Sequence, residues 1–248
     1  MLEENAYATQ LFAAVFFTVA GVRLLRLSQR TREAPEFLLG LYFALTGVSY
    51  FGWVLPYMVV ALEPVQEPSD FVSWAVYSAG VVPFLIFTRL VFRRDARWAT
   101  WVVVACIGAL AVGTTTLKLR GNMYPGLDNP FYWVQWLGYT IPCAWMTLEV
   151  FLSRRIAVRR SRIGLSDAIV ANRYLLVTLM GVFQTLACLS DILVTVDSVD
   201  DQTISAWSDA ILGGLEIGGI AMLWLAFFPP ASYLAWVTGS ARPASETA

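Results

Sequence analysis

The sequence has no histidine, a single lysine (Lys118), three cysteines and only 14% charged residues in 248. Without histidine there is no imidazole-ligated haem, no HExxH zinc site and no Ser/His/Asp triad, which removes a large set of enzymes. Cys106, Cys143 and Cys188 each lie inside a hydrophobic stretch, and an odd number without CxxC spacing makes neither a disulfide framework nor a zinc pattern. They read as small core residues. What is abundant is apolar surface: 58% of the residues are hydrophobic and the mean hydropathy is +0.62. A soluble domain carries about a quarter charged residues, so the excess must face something other than water. The composition therefore indicates a membrane protein. It excludes a nucleic-acid partner and a secreted disulfide scaffold.

A bilayer core of about 30 Å takes roughly 20 apolar residues as helix. Seven such stretches are bounded by charge, at about 10–27, 37–62, 71–92, 98–117, 131–152, 174–196 and 206–228. The first is expected to stay in the mature protein, because Glu3 and Glu4 precede it and no small-residue cleavage site follows. The net charge of -1 conceals a strong segregation of sign. Arg26, Arg30 and Arg32 follow the first stretch, Arg93, Arg94 and Arg97 the third, and Arg154, Arg155, Arg159, Arg160 and Arg162 the fifth. Opposite them lie Glu63, Glu67, Asp70, Asp128, Asp197, Asp200 and Asp201, with only Lys118 and Arg120 as basic residues. Basic residues in short loops stay on the cytoplasmic side. The expectation is thus an all-α, seven-transmembrane-helix bundle, one domain over 1–248, N-terminus outside and C-terminus cytoplasmic, in the plasma (inner) membrane.

The longest cytoplasmic connection, 153–173, mixes arginines with Ile156, Val158, Ile163, Leu165 and Ile169, as expected of a segment lying on anionic inner-leaflet lipids. Pro229 and Pro230 should stop the seventh span, with Tyr233 and Trp236 as interfacial anchors. The tail 238–248 reads as disordered.

Carboxylates inside hydrocarbon cost at least about 2.5 kcal/mol each, so a helix carries them toward a bundle interior or a cavity. Glu149, Asp191, Asp209 and Glu216 qualify. Asp209 and Glu216 share a face of the seventh span with Gly213 between them, and a rise of 1.5 Å per residue sets Glu216 roughly 10 Å deeper. On the sixth span Asp191 follows Cys188 and Gln184 at helical spacing. Asp191, Asp209, Glu216 and Gln184 are expected to line one cavity in the outer half, with Gly213 leaving a notch. Glu149 is expected to bridge to Arg154 or Arg155 at the membrane boundary. Gly214 and Gly218 have the small-xxx-small spacing of close helix packing. Among many tryptophans and tyrosines, Trp53, Trp74, Tyr77, Trp136 and Tyr139 are candidate walls for a flat apolar ligand.

The string Ser73-Trp74-Ala75-Val76-Tyr77-Ser78 is similar to the Asp-Trp-x-x-Thr-Thr stretch of microbial rhodopsins, and Ser208-Asp209-Ala210-Ile211-Leu212-Gly213 to their span-seven Asp-x-x-x-Lys. With seven short-looped spans in about 250 residues, the chain resembles that family in architecture. The resemblance implies a rhodopsin-like bundle. It also departs from the family: Gly213 stands at the retinal lysine, Ser73 at the span-three carboxylate, and the span-six aromatic set is missing. A Schiff base needs an amine, so covalently linked retinal is excluded.

Three functions are weighed. The first is a non-enzymatic receptor or binding protein that holds a small lipophilic ligand non-covalently through Glu216, Asp209, Asp191 and Gln184, with no catalytic or metal residue assigned. The second is a proton-coupled transporter or channel using Glu216. The third is a lipid-modifying enzyme, for which no nucleophile, metal set or phosphate clamp is visible. The short loops make intrinsic kinase-like output impossible, so signalling would need a membrane partner, and a homo-oligomer is left open.

Overall fold

The computed structural model describes residues 2–59, 66–119, 127–163, 168–197 and 202–238. These form α1 (Leu2–Thr31), α2 (Ala34–Met58), α3 (Gln66–Phe92), α4 (Arg97–Leu119), α5 (Pro130–Arg162), α6 (Ala168–Asp197), α7 (Gln202–Phe227) and α8 (Ala231–Val237), with no strand among the described residues. Each hydrophobic stretch read from the sequence falls, to within a few residues, in one of α1–α7. Five segments are long and apolar enough to cross a membrane: Ala8–Thr31, Ala34–Pro56, Pro68–Phe92, Arg97–Leu117 and Ile169–Ser190. A sixth is added if Ile211–Phe227 and Ala231–Val237, bent by 81° at Pro229 and Pro230, count as one span. α5 falls outside this set. It carries Gln135, Tyr139 and Thr140 in its first half and five arginines in its last turns, which dilute its apolar character.

The helices pack in chain order. α1 lies on α2, α2 on α3, α3 on α4 and α5, α4 on α5, α5 on α6 and α6 on α7, while α7 returns to α1 and closes the ring. The links are tight. Only Arg32 and Glu33 separate α1 from α2, and Arg32 turns the chain at φ 59° while its N–H bonds to Ser28 O at 2.8 Å, a left-handed helix end. α1 and α2 then run close together because Gly47 faces Thr18. A Cβ on Gly47 would lie 2.7 Å from Thr18 N and 3.0 Å from Ala14 O, so only glycine permits this approach.

The bundle is packed at its centre and apolar on its outside. One cluster joins Phe16, Phe43, Phe84, Met146, Val150 and Leu223 from α1, α2, α3, α5 and α7. A second joins Val81, Leu85, Val103, Leu110 and Trp145 from α3, α4 and α5. Phe12 (57% exposed), Val104 (54%) and Leu148 (55%) point outward with many other aliphatic side chains, far more exposed apolar surface than a water-facing monomer carries. Such helices are compatible with an integral multi-pass membrane protein.

Several local expectations change. The connection 153–173 is largely helical, since α5 continues to Arg162 and α6 begins at Ala168. Ser153–Arg162 contains no glycine or proline, and its Ala157 is buried, so nothing stops the helix before Gly164. Asp70, read as a loop acid, lies in the second turn of α3 and is only 3% exposed. Tyr233 on α8 accepts a hydrogen bond from Asn172 Nδ2 of α6 at 2.8 Å, while Trp236 is exposed. The tail from residue 239 lies outside the described residues.

Candidate functional site

A cavity of about 460 Å³ opens at the end of the bundle where α1, α3, α5 and α7 begin and α2 and α6 end. Helical periodicity brings its walls together. Trp53 follows Tyr50 by three residues on α2; Asp70, Trp74 and Tyr77 follow one another on one face of α3; Trp136, Tyr139 and Thr140 do so on α5; Gln184 and Cys188 on α6; Leu212 and Glu216 on α7. Gln10 of α1 completes the described lining. Seven residues singled out from the sequence, Glu216, Gln184, Trp53, Trp74, Tyr77, Trp136 and Tyr139, thus meet in one place.

One wall is a closed circuit of four rings. Trp53 packs on Trp74 with centroids 5.1 Å apart, Trp74 on Tyr139 at 5.8 Å, Tyr139 on Tyr77 at 5.1 Å and Tyr77 back on Trp53 at 5.6 Å. The contacts are tilted or edge-on, the arrangements favoured by ring quadrupoles. The circuit is anchored from behind by a polar network. Tyr139 Oη lies 2.5 Å from Ser78 Oγ, and Gln135 Nε2 donates to Thr114 Oγ1 at 3.1 Å. Trp136 Nε1 donates to the Cys188 carbonyl at 2.7 Å, fixing α5 against α6.

The facing wall carries the carboxyl group. Tyr50 Oη donates to Glu216 Oε1 at 2.7 Å across the gap between α2 and α7. Two further groups of the lining have no hydrogen-bond partner: the indole N–H of Trp53 and the hydroxyl of Thr140, both removed from the surface. A buried polar group left unpaired costs about 1–3 kcal/mol, and a guest with hydrogen-bonding atoms would recover it. Behind Glu216 the interior closes. A void of about 20 Å³ between Tyr42, Phe43, Gln184 and Leu223 is room for about one water, and the apolar cluster of Phe84, Met146 and Val150 lies beyond.

The other expected residues fall elsewhere. Gly213 does not line the cavity; a Cβ there would meet only Thr9 Cγ2 of α1, at 3.9 Å. Gly214 has nothing within 4 Å, and the close contact of this region is Gly218 under the ring of Phe183, so the small-xxx-small pair does not join two helix backbones. Asp191 and Asp209 belong to α6 and α7, but their side chains are outside the described set. Glu149 pairs with Arg93, not with Arg154 or Arg155. Residues five and six apart on a helix point to different sides, so its own arginines cannot turn back to it. Sequence reasoning missed Tyr50, Asp70, Thr140 and Gln10. Asp70 was legible as the first of the series Asp70, Ser73, Trp74 and Tyr77, whereas Tyr50 carries no signal that would pair it with α7. Among the described residues no group of His, Cys, Asp or Glu could hold a metal ion.

Comparison with protein-family models, with curated proteins and with solved structures gives no match to this chain.

Proposed function

We propose that the protein is a membrane binding protein or receptor that holds a small lipophilic molecule non-covalently in this cavity, without catalysing a reaction. The observation that carries the reading is the pairing of an aromatic wall with few, specific polar groups. A cavity of about 460 Å³ falls in the size range of small-molecule sites, which are mostly apolar with a handful of orienting hydrogen-bonding groups. Here those groups are Glu216, held by Tyr50, together with Gln184, the Thr140 hydroxyl and the Trp53 indole N–H. The ligand class this suits is a flat hydrocarbon or ring system bearing a hydroxyl or basic nitrogen.

The proposal includes seven spans with the N-terminus outside, which puts the cavity in the outer half and the arginine-rich helix ends on the cytoplasmic side. It keeps the rhodopsin-like bundle in architecture only, since a Schiff base would need a lysine where Gly213 stands. Proton passage through Glu216 is the weaker reading. Behind it Tyr42 and Gln184 border a void with room for about one water, and the apolar cluster of Phe84, Met146 and Val150 beyond offers no group to carry a proton further.

The test is purification from the native membrane in mild detergent, with an absorption spectrum and mass spectrometry of whatever small molecule accompanies the protein. A stoichiometric apolar compound that is lost from Glu216→Gln is expected. Recovery of bulk lipid alone, from wild type and variant alike, would overturn the reading, and proton flux in liposomes would then test the transport alternative.

A further inference from the structure

A second, larger cavity, about 940 Å³, lies toward the other end of the bundle, between the C-terminal half of α1, the start of α2, the start of α6 and the end of α7. Gln10 lines the first cavity and Arg26 the second, a separation of about 24 Å along α1 at 1.5 Å per residue. The rim of the second cavity is cationic. Arg23, Arg26 and Arg30 follow at three- and four-residue steps and so share one face of α1, and Arg173 adds a fourth guanidinium from α6. Its single lining carboxylate is Glu36, which accepts a hydrogen bond from Thr31. Among the described residues none of the four arginines is paired with a carboxylate. Arg23 is instead laid over the Phe228 ring, 4.3 Å from its centroid, which orients it at the mouth.

The floor is the opposite in character: Leu24, Leu39, Phe87, Val177 and Phe227 are apolar residues from five different helices. Four exposed guanidinium groups without a carboxylate partner, set over an apolar floor, suit a ligand that supplies both a multiply accepting anion and hydrocarbon. Guanidinium forks match phosphate oxygens. A free phosphate would leave the floor uncovered, and an uncharged lipid would leave the arginines unmatched.

We propose that this groove is a binding site for an anionic phospholipid, with its phosphate among Arg23, Arg26, Arg30 and Arg173 and an acyl chain over Leu24, Leu39 and Phe87. Charge complementarity selects the headgroup and the apolar floor selects a lipid. The site is separate from the ligand cavity, and it stands or falls independently of what that cavity holds.

The experiment uses the purified full chain in detergent. Thermal unfolding is followed while phosphatidylglycerol, phosphatidylcholine of the same acyl chains, or inorganic phosphate is added. The expected result is a rise in Tm with phosphatidylglycerol and none with the other two. The Arg23→Gln/Arg26→Gln/Arg30→Gln variant should need at least tenfold more phosphatidylglycerol for the same rise. Removing equal charge by Arg155→Gln/Arg159→Gln/Arg160→Gln, on an exposed part of α5 that lies outside the groove, should weaken the response much less than the α1 variant does, since these side chains offer only surface attraction to anionic lipid. If the α1 variant fails to fold, Leu39→Trp tests the same site with every arginine present and should weaken the response by filling the floor. An equal response to phosphatidylcholine, a response to inorganic phosphate alone, or equal losses in the α1 and α5 variants would overturn the proposal.

Discussion

Arg93 donates through Nε to Glu149 Oε1 at 2.7 Å, clamping the turn after α3 to the middle of α5. Trp145 Nε1, one turn back on α5, donates to the same oxygen at 3.0 Å, so a carboxylate that is 6% exposed has two donors. Arg93 also lies near the Trp98 ring, 5.9 Å from its centroid, and is 41% exposed, so part of its charge remains in contact with solvent.

This arrangement predicts unequal effects of removing either partner. Arg93→Ala leaves a buried carboxylate with one donor and should lower stability by about 2 kcal/mol, whereas Glu149→Gln keeps an accepting oxygen and should cost about 1 kcal/mol. The hydrogen bond and charge of Glu149 raise the Arg93 guanidinium above its ordinary value. A raised cation contributes stability that is lost only as pH climbs through that value, so the Arg93→Ala deficit should be constant across the neutral and mildly alkaline range. Thermal melts of the two variants in detergent at several pH values check both statements; a deficit that disappears on mild alkalinisation would count against them.

Tyr50 and Glu216 should behave as one unit toward a bound ligand. Tyr50→Phe keeps the ring contacts with Phe17 and Trp53, at 5.9 and 5.4 Å, but removes the donor that orients the carboxyl group. Each of Tyr50→Phe and Glu216→Gln should weaken retention of the co-purified molecule about tenfold, or about 1.4 kcal/mol. The double variant should lose little more than either single one, because coupled partners are not additive. Fully additive losses in a ligand-retention titration would mean that the two act separately.

Glycine tolerance should divide between Gly47 and Gly214. Gly47→Val drives its Cβ against the Thr18 backbone and should destabilise the α1–α2 pair by about 1–3 kcal/mol or prevent accumulation of folded protein. Gly214→Ala meets nothing within 4 Å and should be neutral or stabilising by up to about 1 kcal/mol, from the better helix propensity of alanine. Expression and Tm of the two variants are the readouts.

The proposed orientation predicts opposite labelling of two connections. In a background with Cys106, Cys143 and Cys188 replaced by alanine, Asp128→Cys before α5 should react with an impermeant maleimide on intact cells. Asp95→Cys, in the turn between α3 and α4, should react only after the membrane is opened. The reverse pattern would invert the bundle.

Much of the molecule was legible in order and spacing alone. Long apolar stretches separated by short charged connections dictated helices, because in hydrocarbon every backbone N–H and C=O must be satisfied within its own segment. The three- and four-residue steps that join Trp74 to Tyr77, Gln184 to Cys188 and Leu212 to Glu216 already stated which side chains share a face. The single lysine, Lys118, lies far in sequence from the seventh span, where Gly213 offers no amine for a Schiff base.

Tertiary structure decided which faces meet. A sequence leaves the rotation of each helix about its axis free, and packing sets that rotation through contacts such as Gly47 on Thr18 or Phe183 over Gly218. The ring closure of α1 on α7 belongs to the same level. So do the inward turn of Asp70, the choice of Arg93 over Arg154 and Arg155 as the partner of Glu149, and the placing of Gly213 against Thr9 rather than in the cavity. The Tyr50 hydroxyl on Glu216 joins groups 166 residues apart. Local periodicity carries no term for such a distance, and only the packed bundle creates it.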